Sequence, residues 1–419
     1  MMKKVITSLA TFMAVSLMSL ATHSVSAAEQ LNVSGSNLQL NGLAVHSELR
    51  KEWFLSGLYL TSKSSDPSAI STDFNTKRMQ LKVLADNLSG RRLKRFWIER
   101  IKNNNEASEV LLRAKDVRAF ANFMDQNLEA SDVIDIDFVP SVGTIIYING
   151  SEIGRVGEDL YPLVLNTWIG PRPPTTEFKD AILGNQPAVQ YSDLLAKFSA
   201  INPTASRVAV FDQAAIAAKE EEERKQKEEE ERLAEEERKA TEAKKLAEQQ
   251  KLANEKAAEQ RLLAQQQAED ERKKLQEEAQ TETSTPVDVV QQPIVEQVPA
   301  GPTAAELEAI RDQYVRTIRS HYAPFFEYPQ REIIRKYARG KPLKVKEGKT
   351  HGDVSIALEV DKDGELVGGS LTQSSGEKIL DDAVMSALFD AVPYPAMPAD
   401  LPEETFKVTL SISIPAPQM

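Results

Sequence analysis

The chain has 419 residues, a formal net charge of −12 at pH 7 and no cysteine. A chain of this length usually holds more than one hydrophobic core, so at least two domains are expected. The acidic balance argues against nucleic acid as the main partner, the absence of cysteine excludes disulfides and thiol chemistry, and four scattered histidines give no metal-ligand spacing, so neither a metal nor another cofactor is expected.

The N-terminus has the pattern of an export signal. Lys3 and Lys4 precede an apolar run over residues 5–21, and small residues lead up to Ala27. We expect residues 1–27 to be a cleaved signal peptide, which would place the mature protein in the periplasm of a Gram-negative cell. The alternative is an uncleaved inner-membrane anchor facing the periplasm, because the run is close to the length of about 20 residues that spans a bilayer. No later stretch is apolar enough to cross one.

Residues 28–212 are predicted to form a first domain of the α+β class. Alternating apolar residues predict strands at 38–42, 52–60, 77–84, 133–139 and 143–150, with Asn149-Gly150 as the tight turn into a last strand over 151–156. Helical spacing predicts helices at 89–101, 117–128, 160–169 and 191–198. Strands and helices grouped in this order are typical of an α+β layer.

Several short motifs in this block carry a family resemblance. They are Leu40-Asn-Gly-Leu-Ala-Val-His46, Phe54-Leu-Ser-Gly-Leu-Tyr-Leu60, Ser64-Ser-Asp-Pro67, Asp137-Phe-Val-Pro140 with Gly143-Thr144, Asn149-Gly150, and the segment 165–170 with Leu183-Gly184. In these motifs the block resembles the bacterial chalcone isomerase-like family over about residues 30–184. The resemblance implies a fold shared by plant isomerases and by non-catalytic relatives that hold fatty acids.

The same resemblance bears on catalysis. In the plant enzymes an arginine after the first strand and a threonine on the following strand bind and polarise the substrate oxygen, whereas this chain has His46 and Phe54 at the corresponding places. We therefore do not expect isomerase activity, which stays as a second alternative. His46 is expected to be a surface or turn histidine. The apolar interior is expected to be a filled core, with a fatty-acid-like ligand as the alternative.

Residues 213–280 are predicted to form a charged helical rod. From 214 to 280 there is no Gly or Pro, and Glu often precedes a base by four positions, as in Glu221 with Lys225 and Glu235 with Lys239. The leucines keep no seven-residue spacing, so we expect a solvated single helix, with a weakly self-associating coiled coil as the alternative. Such a helix would span about 100 Å at ~1.5 Å per residue and act as a spacer.

A linker and a second α+β domain follow the rod. Residues 281–302 are rich in proline, which favours an extended linker. Residues 303–419 are predicted to form a domain with helices at 306–322 and 379–391, a hairpin of 354–360 with 365–372, and a strand at 406–414. In that strand apolar and polar residues alternate: Phe406, Lys407, Val408, Thr409, Leu410, Ser411, Ile412, Ser413 and Ile414.

Anchors in this second domain carry another resemblance. They are Tyr328-Pro329, Gly352, Asp363-Gly364, Ser374-Ser-Gly376, Leu380-Asp381 and Pro393-Tyr-Pro395. In them residues 306–415 resemble the C-terminal domain of TonB-type energy transducers and the related TolA domain. The resemblance implies a small periplasmic domain that binds envelope proteins, often by pairing an exposed strand with an extended peptide. The strand at 406–414 is the candidate edge, and the alternative is that it completes the domain's own sheet or a homodimer.

These observations predict a non-catalytic periplasmic adaptor with a ligand- or protein-binding head and a partner-binding C-terminal domain. An alternative is a TonB-type energy transducer for outer-membrane transport, which would require the N-terminal segment to stay in the inner membrane.

Overall fold

The computed structural model describes residues 28–48, 50–278 and 303–417. The predicted signal peptide and the predicted linker lie outside the described residues. By their internal contacts the residues divide into two units, one ending at Thr204 and the other beginning at Ala205. Both helices and strands occur in each terminal domain, so the fold is α+β as the sequence predicts.

The first unit, called the head below, is built on a large antiparallel sheet. Its strands are β1 (Gln30–Val33), β2 (Ser36–Glu48), β3 (Lys51–Leu60), β4 (Lys77–Val83), β5 (Asn87–Leu88), β6 (Leu128–Glu129), β7 (Val133–Val139), β8 (Gly143–Ile148) and β9 (Ser151–Val156). Seven of them form one sheet in the order β1-β2-β3-β4-β7-β8-β9, while β5 and β6 pair separately. The helices are α1 (Pro67–Thr72), α2 (Gly90–Asn104), α3 (Ala107–Leu112), α4 (Ala114–Phe123), α5 (Leu160–Ile169), α6 (Thr176–Ile182) and α7 (Ala188–Ala200).

The two faces of this sheet have different covers. On one face Phe54 of β3 lies near Phe96 of α2, and Phe138 of β7 packs on Tyr161 of α5. The other face, called the α7 face, carries an apolar cluster of β1, β2, β3, β7 and β8 residues that Phe198 of α7 joins. Because side chains alternate along a strand, the register of the strands fixes which residues share each cover.

Strand β2 differs from its predicted extent. The sequence predicted a strand that ends at Gly42, yet β2 continues to Glu48 with an irregularity in its register between Leu40 and Gly42. A Cβ atom at Gly42 would lie 2.0 Å from the carbonyl oxygen of Ala181. This glycine therefore allows the end of α6 to approach the strand, and its role is close packing, not a turn.

The second unit begins with a helix of 74 residues, α8 (Ala205–Glu278), which starts before the predicted rod. At ~1.5 Å per residue such a helix is about 110 Å long. The predicted ion pairs form, with Lys225 Nζ 2.8 Å from Glu221 Oε1 and Lys239 Nζ 2.8 Å from Glu235 Oε1. Among the helices of the described ranges, none combines the length and the apolar character that a membrane span needs.

The C-terminal domain is a three-stranded sheet with helices. Its elements are α9 (Ala304–Tyr322), a 3₁₀ turn (Ala323–Phe325), α10 (Gln330–Tyr337), β10 (Gly352–Asp361), β11 (Leu366–Gln373), α11 (Lys378–Asp390) and β12 (Thr405–Ile414). The sheet order is β11-β10-β12, and β10 with β12 is antiparallel. Thr303 and Glu306 form a capping box at the start of α9, and Tyr314 of α9 packs on Phe406 of β12.

Candidate functional site

His46 lies inside the head, so the prediction of a surface or turn histidine is wrong. It sits on β2, directly opposite Phe54 of β3, and is 2% exposed. Its ring centroid lies 5.1 Å from that of Phe96 and 6.1 Å from those of Trp53, Phe54 and Phe178. The strand continues past Gly42 and carries the histidine into an aromatic box.

The aromatic box changes the protonation of His46. Neither ring nitrogen has a hydrogen-bond partner among the described residues, although Glu48 Oε1 lies 3.5 Å from Nε2. Burial lowers the pKa of His46 to about 4, which outweighs the opposite effect of the Glu48 carboxylate; the nearby Arg100 guanidinium lowers the pKa further. The imidazole is therefore neutral at pH 7 and a weak base.

A buried ion cluster lies on the α7 face, on β4 and β7. Arg78 donates from Nε and Nη2 to the two carboxylate oxygens of Asp137, both at 2.6 Å, and its Nη1 lies 3.2 Å from Asp135. Gln80 Nε2 donates to Asp135 at 2.7 Å. Burial raises the pKa of both carboxyl groups although Arg78 acts in the opposite direction. Sequence reasoning missed this cluster, whose signal was a pair of aspartates two residues apart in an otherwise apolar strand.

Lys82 continues the polar row on β4. It is 7% exposed, and its Nζ donates to the main-chain carbonyls of Phe198 and Ile201, both at 2.7 Å. The ammonium also lies 4.4 Å from the centroid of the Phe198 ring. These contacts hold the C-terminal turn of α7 against the sheet.

The predicted binding strand forms an edge of the C-terminal sheet. In β12 the side chains of Phe406, Leu410, Ile412 and Ile414 are buried and Val408 is half-buried, whereas Lys407, Thr409, Ser411 and Ser413 are exposed. One side of β12 pairs with β10 from Gly352 opposite Ile414 to Asp361 opposite Thr405. In the sheet order of the described chain, no strand lies beyond β12. Alternate N–H and C=O groups on that outer side lack a strand partner.

Side-chain contacts fix β12 to β10 across the solvent-facing side of the sheet. Thr405 Oγ1 donates to Glu359 at 2.9 Å, Lys407 Nζ lies 3.5 Å from the same carboxylate, and the hydroxyls of Ser355 and Ser411 are 3.3 Å apart. Cross-strand pairs of this kind pin the register of a strand. The edge is thus held in one register.

A buried carboxylate at the start of α11 is a further feature that the sequence did not reveal. Glu377 is 2% exposed, accepts hydrogen bonds from Lys336 Nζ at 2.8 Å and from the Tyr337 hydroxyl, and caps the Ile379 N–H at 3.1 Å. Burial alone would raise the pKa of Glu377, but these hydrogen bonds outweigh it and lower the pKa. Asp381 binds Ser375 in the Ser374-Ser-Gly376 motif. Both carboxylates stabilise the helix start.

A metal centre has no candidate ligand set here. Across residues 28–48, 50–278 and 303–417, no group of three or more His, Cys, Asp or Glu side chains is placed to hold a metal ion.

Comparison with known proteins assigns families to the two ends of the chain. A chalcone isomerase-like family model matches residues 19–184, and a TonB C terminal model matches residues 331–411. Among solved structures, the chain is similar to a fatty-acid binding protein of Arabidopsis thaliana at 14% identity, covering 40% of this chain and 100% of that chain with a TM-score of 0.29. No curated protein matches the chain.

Proposed function

We propose that this chain, which contains a chalcone isomerase-like domain and a TonB C-terminal domain, is a non-catalytic adaptor of the cell envelope. The C-terminal domain binds an envelope protein by pairing β12 with an extended segment of that partner. The head is the ligand-binding module, and α8 is the spacer between the two. The exported, periplasmic location is part of the proposal.

The open edge of β12 is the observation that carries the proposal. Its outer side presents main-chain donors and acceptors, while its buried side chains are fixed to the domain core. An extended peptide added to such an edge gains main-chain hydrogen bonds, and side-chain contacts with alternate residues add specificity. Lys407 is the charged side chain on the exposed side of β12, so an acidic residue of a bound segment would meet it favourably.

The role of the head is supported by polar atoms buried in its apolar layers. The hydroxyls of Ser56 and Tyr161 and the indole nitrogen of Trp97 are buried and lack hydrogen-bond partners among the described residues. Buried polar atoms are usually paired, so unpaired ones favour a site at which a small amphiphilic molecule supplies the missing partner. A fatty-acid-like ligand has the required combination of an apolar chain and a polar head.

Photocrosslinking from β12 tests the adaptor role. A photoreactive amino acid replaces Ser411 on β12 in the full chain expressed in its own envelope, and the matched control carries it at Gln373 on the opposite edge of the sheet. We expect crosslinks to an envelope protein from position 411 and none to that protein from position 373. Crosslinks from 411 to a second copy alone would instead make β12 a homodimer interface and contradict the proposal.

N-terminal sequencing of the exported protein separates the adaptor from an energy transducer. A mature start near Ala28 is the expected result, because the residues before it have the composition of a cleaved signal. Recovery of the intact N-terminus in the inner membrane would favour the transducer alternative.

A further inference from the structure

Helix α7 covers the α7 face of the head with a single deep anchor. Of its thirteen residues only Phe198 is buried, whereas α5 buries eight residues of ten. Tyr191, Leu194 and Leu195 of α7 are partly buried against the same apolar cluster, and Val189 is 75% exposed. An element that buries so little opens at a lower free energy than the core around it.

The seat of that anchor is shaped by a glycine. A Cβ atom on Gly57 of β3 would lie 3.0 Å from Phe198 Cζ, 3.1 Å from Leu40 Cδ1 and 3.2 Å from Leu43 Cδ2. Gly57 is not one of the glycines with a positive φ, so its backbone does not demand glycine. The missing side chain instead leaves a socket for the Phe198 ring, and the buried side chains around it are apolar.

A buried cation borders the socket. Lys82 of β4 pairs in register with Leu55 of β3, and both acceptors described above, the carbonyls of Phe198 and Ile201, belong to the end of α7 and the residue that follows it. Both acceptors leave if α7 leaves. A buried ammonium without acceptors is costly, so an open socket favours a replacement acceptor, and a carboxylate is the strongest available.

The other end of α7 is loosely attached. A cavity of about 390 Å³ opens beside it, lined by residues that include Asn41, Lys63, Gln186 and Tyr191. Both polar atoms of the Gln186 side-chain amide are buried without a partner among the described residues. The connection from α6 passes through Gly184, which has a φ of +79°. This end therefore provides both a hinge and an opening toward the sheet.

We propose that α7 is a displaceable cover over a binding groove, and that the groove takes an anionic amphiphile with its apolar tail in the Phe198 socket and its carboxylate on Lys82. In the closed form the Phe198 ring occupies the tail position and the two main-chain carbonyls occupy the head position. The inference rests on the ligand-binding role proposed for the head and adds the position of the site and the element that closes it.

Calorimetry with dodecanoate and the full chain tests the groove. In Phe198→Ala the socket is empty and α7 loses its anchor, so dodecanoate binds about tenfold more tightly, because apparent affinity follows the fraction of open molecules. Adding Gly57→Leu to that variant fills the socket from the sheet side and abolishes the gain. Phe74→Ala, which removes a ring that is 73% exposed, is the control and leaves the affinity unchanged.

Lys82→Met tests the head-group position. Because this variant also loosens α7, the readout is the ratio of the affinities for dodecanoate and dodecanol, which falls about tenfold when a charge-assisted hydrogen bond is lost. Hydrogen exchange then reports the cover directly: saturating dodecanoate raises exchange across residues 188–200 of the wild-type chain. Tryptophan fluorescence verifies folding of every variant, since Trp53, Trp97 and Trp168 all lie in the head.

The outcomes separate this inference from the proposed function. Dodecanoate binding that is unaffected by the added Gly57→Leu change and by Lys82→Met, with no rise in exchange across α7, overturns the cover and leaves a ligand-binding head with its site elsewhere. Failure of dodecanoate to bind any variant, including Phe198→Ala, overturns the inference together with the ligand-binding role of the head.

Discussion

Replacing His46 by leucine should remove a large part of the acid sensitivity of the head. The folded protein holds His46 with a pKa of about 4, against 6.5 for the exposed group. As the pH falls through 6.5 the unfolded chain binds a proton that the folded chain does not, so stability falls until the pH reaches about 4. At about 1.4 kcal/mol per pH unit, the loss is about 2 kcal/mol at pH 5 and about 3 kcal/mol below pH 4.

The leucine variant should also fold at neutral pH. Leucine has about the volume of histidine, and the two ring nitrogens that it removes have no hydrogen-bond partner among the described residues. Replacing an unpaired buried polar group by an apolar one of similar shape is close to neutral or stabilising. We therefore expect the free energy of unfolding at pH 7.5 to change by less than about 1 kcal/mol.

Urea unfolding of the full chain, followed by tryptophan fluorescence, measures this effect in the head alone, because all three tryptophans lie there. Buried carboxyl groups such as Asp137 also titrate, so the informative quantity is the difference between wild type and His46→Leu at each pH. The wild type should lose about 2 kcal/mol more than the variant between pH 7.5 and pH 5. His351→Leu, in the other unit, is the control. Parallel pH profiles for wild type and His46→Leu would refute the burial argument.

Other substitutions test the packing of both domains. Arg78→Met leaves two buried carboxylates without their cation and should destabilise the head by about 3–5 kcal/mol in the same assay, whereas Arg155→Met, which breaks an exposed pair with Glu152, should cost less than about 1 kcal/mol; equal losses would contradict the buried cluster. Gly42→Ala should cost about 2 kcal/mol in that assay, because its Cβ would meet the Ala181 carbonyl, and an unchanged midpoint would show that α6 can withdraw. For Glu377 the lowered pKa gives stability that is present above the unfolded value of 4.5 and is lost as the pH falls through the folded value; hydrogen exchange of α11 should therefore accelerate in acid in the wild type and less in Glu377→Gln, and identical pH profiles would contradict it.

Elements with strong local signals could be located from the sequence. The hairpin turn at Asn149-Gly150 has both residues at positive φ, as the motif predicts, and the helix predicted at 160–169 is Leu160–Ile169. The strict alternation at 406–414 gave the strand that the structure places at Thr405–Ile414. In these cases the periodicity and the turn chemistry lie within a few residues of each other, so no distant partner is needed to interpret them.

Features that depend on distant partners could not be located. His46 was misplaced because the glycine before it indicates a turn until the approach of α6 is known. The pairing of Arg78 with Asp137 requires the register of β4 with β7, which are 59 residues apart at this point. The role of Gly57 requires Phe198, which comes from a helix that the sequence predicted only in part. In the helical region between the strands, α3 was missed and α4 begins earlier than expected, at Ala114.

The strand-pairing role of β12 can be measured by mapping crosslinks at residue resolution. When the photoreactive group moves along the exposed side of β12 from Thr409 to Ser411 to Ser413, the account predicts that the crosslinked residue of the partner moves by about two positions at each step, always in the same direction, because paired strands keep register. Crosslinks that stay on one partner residue, or that scatter without order, would contradict strand pairing as the way this domain holds its partner.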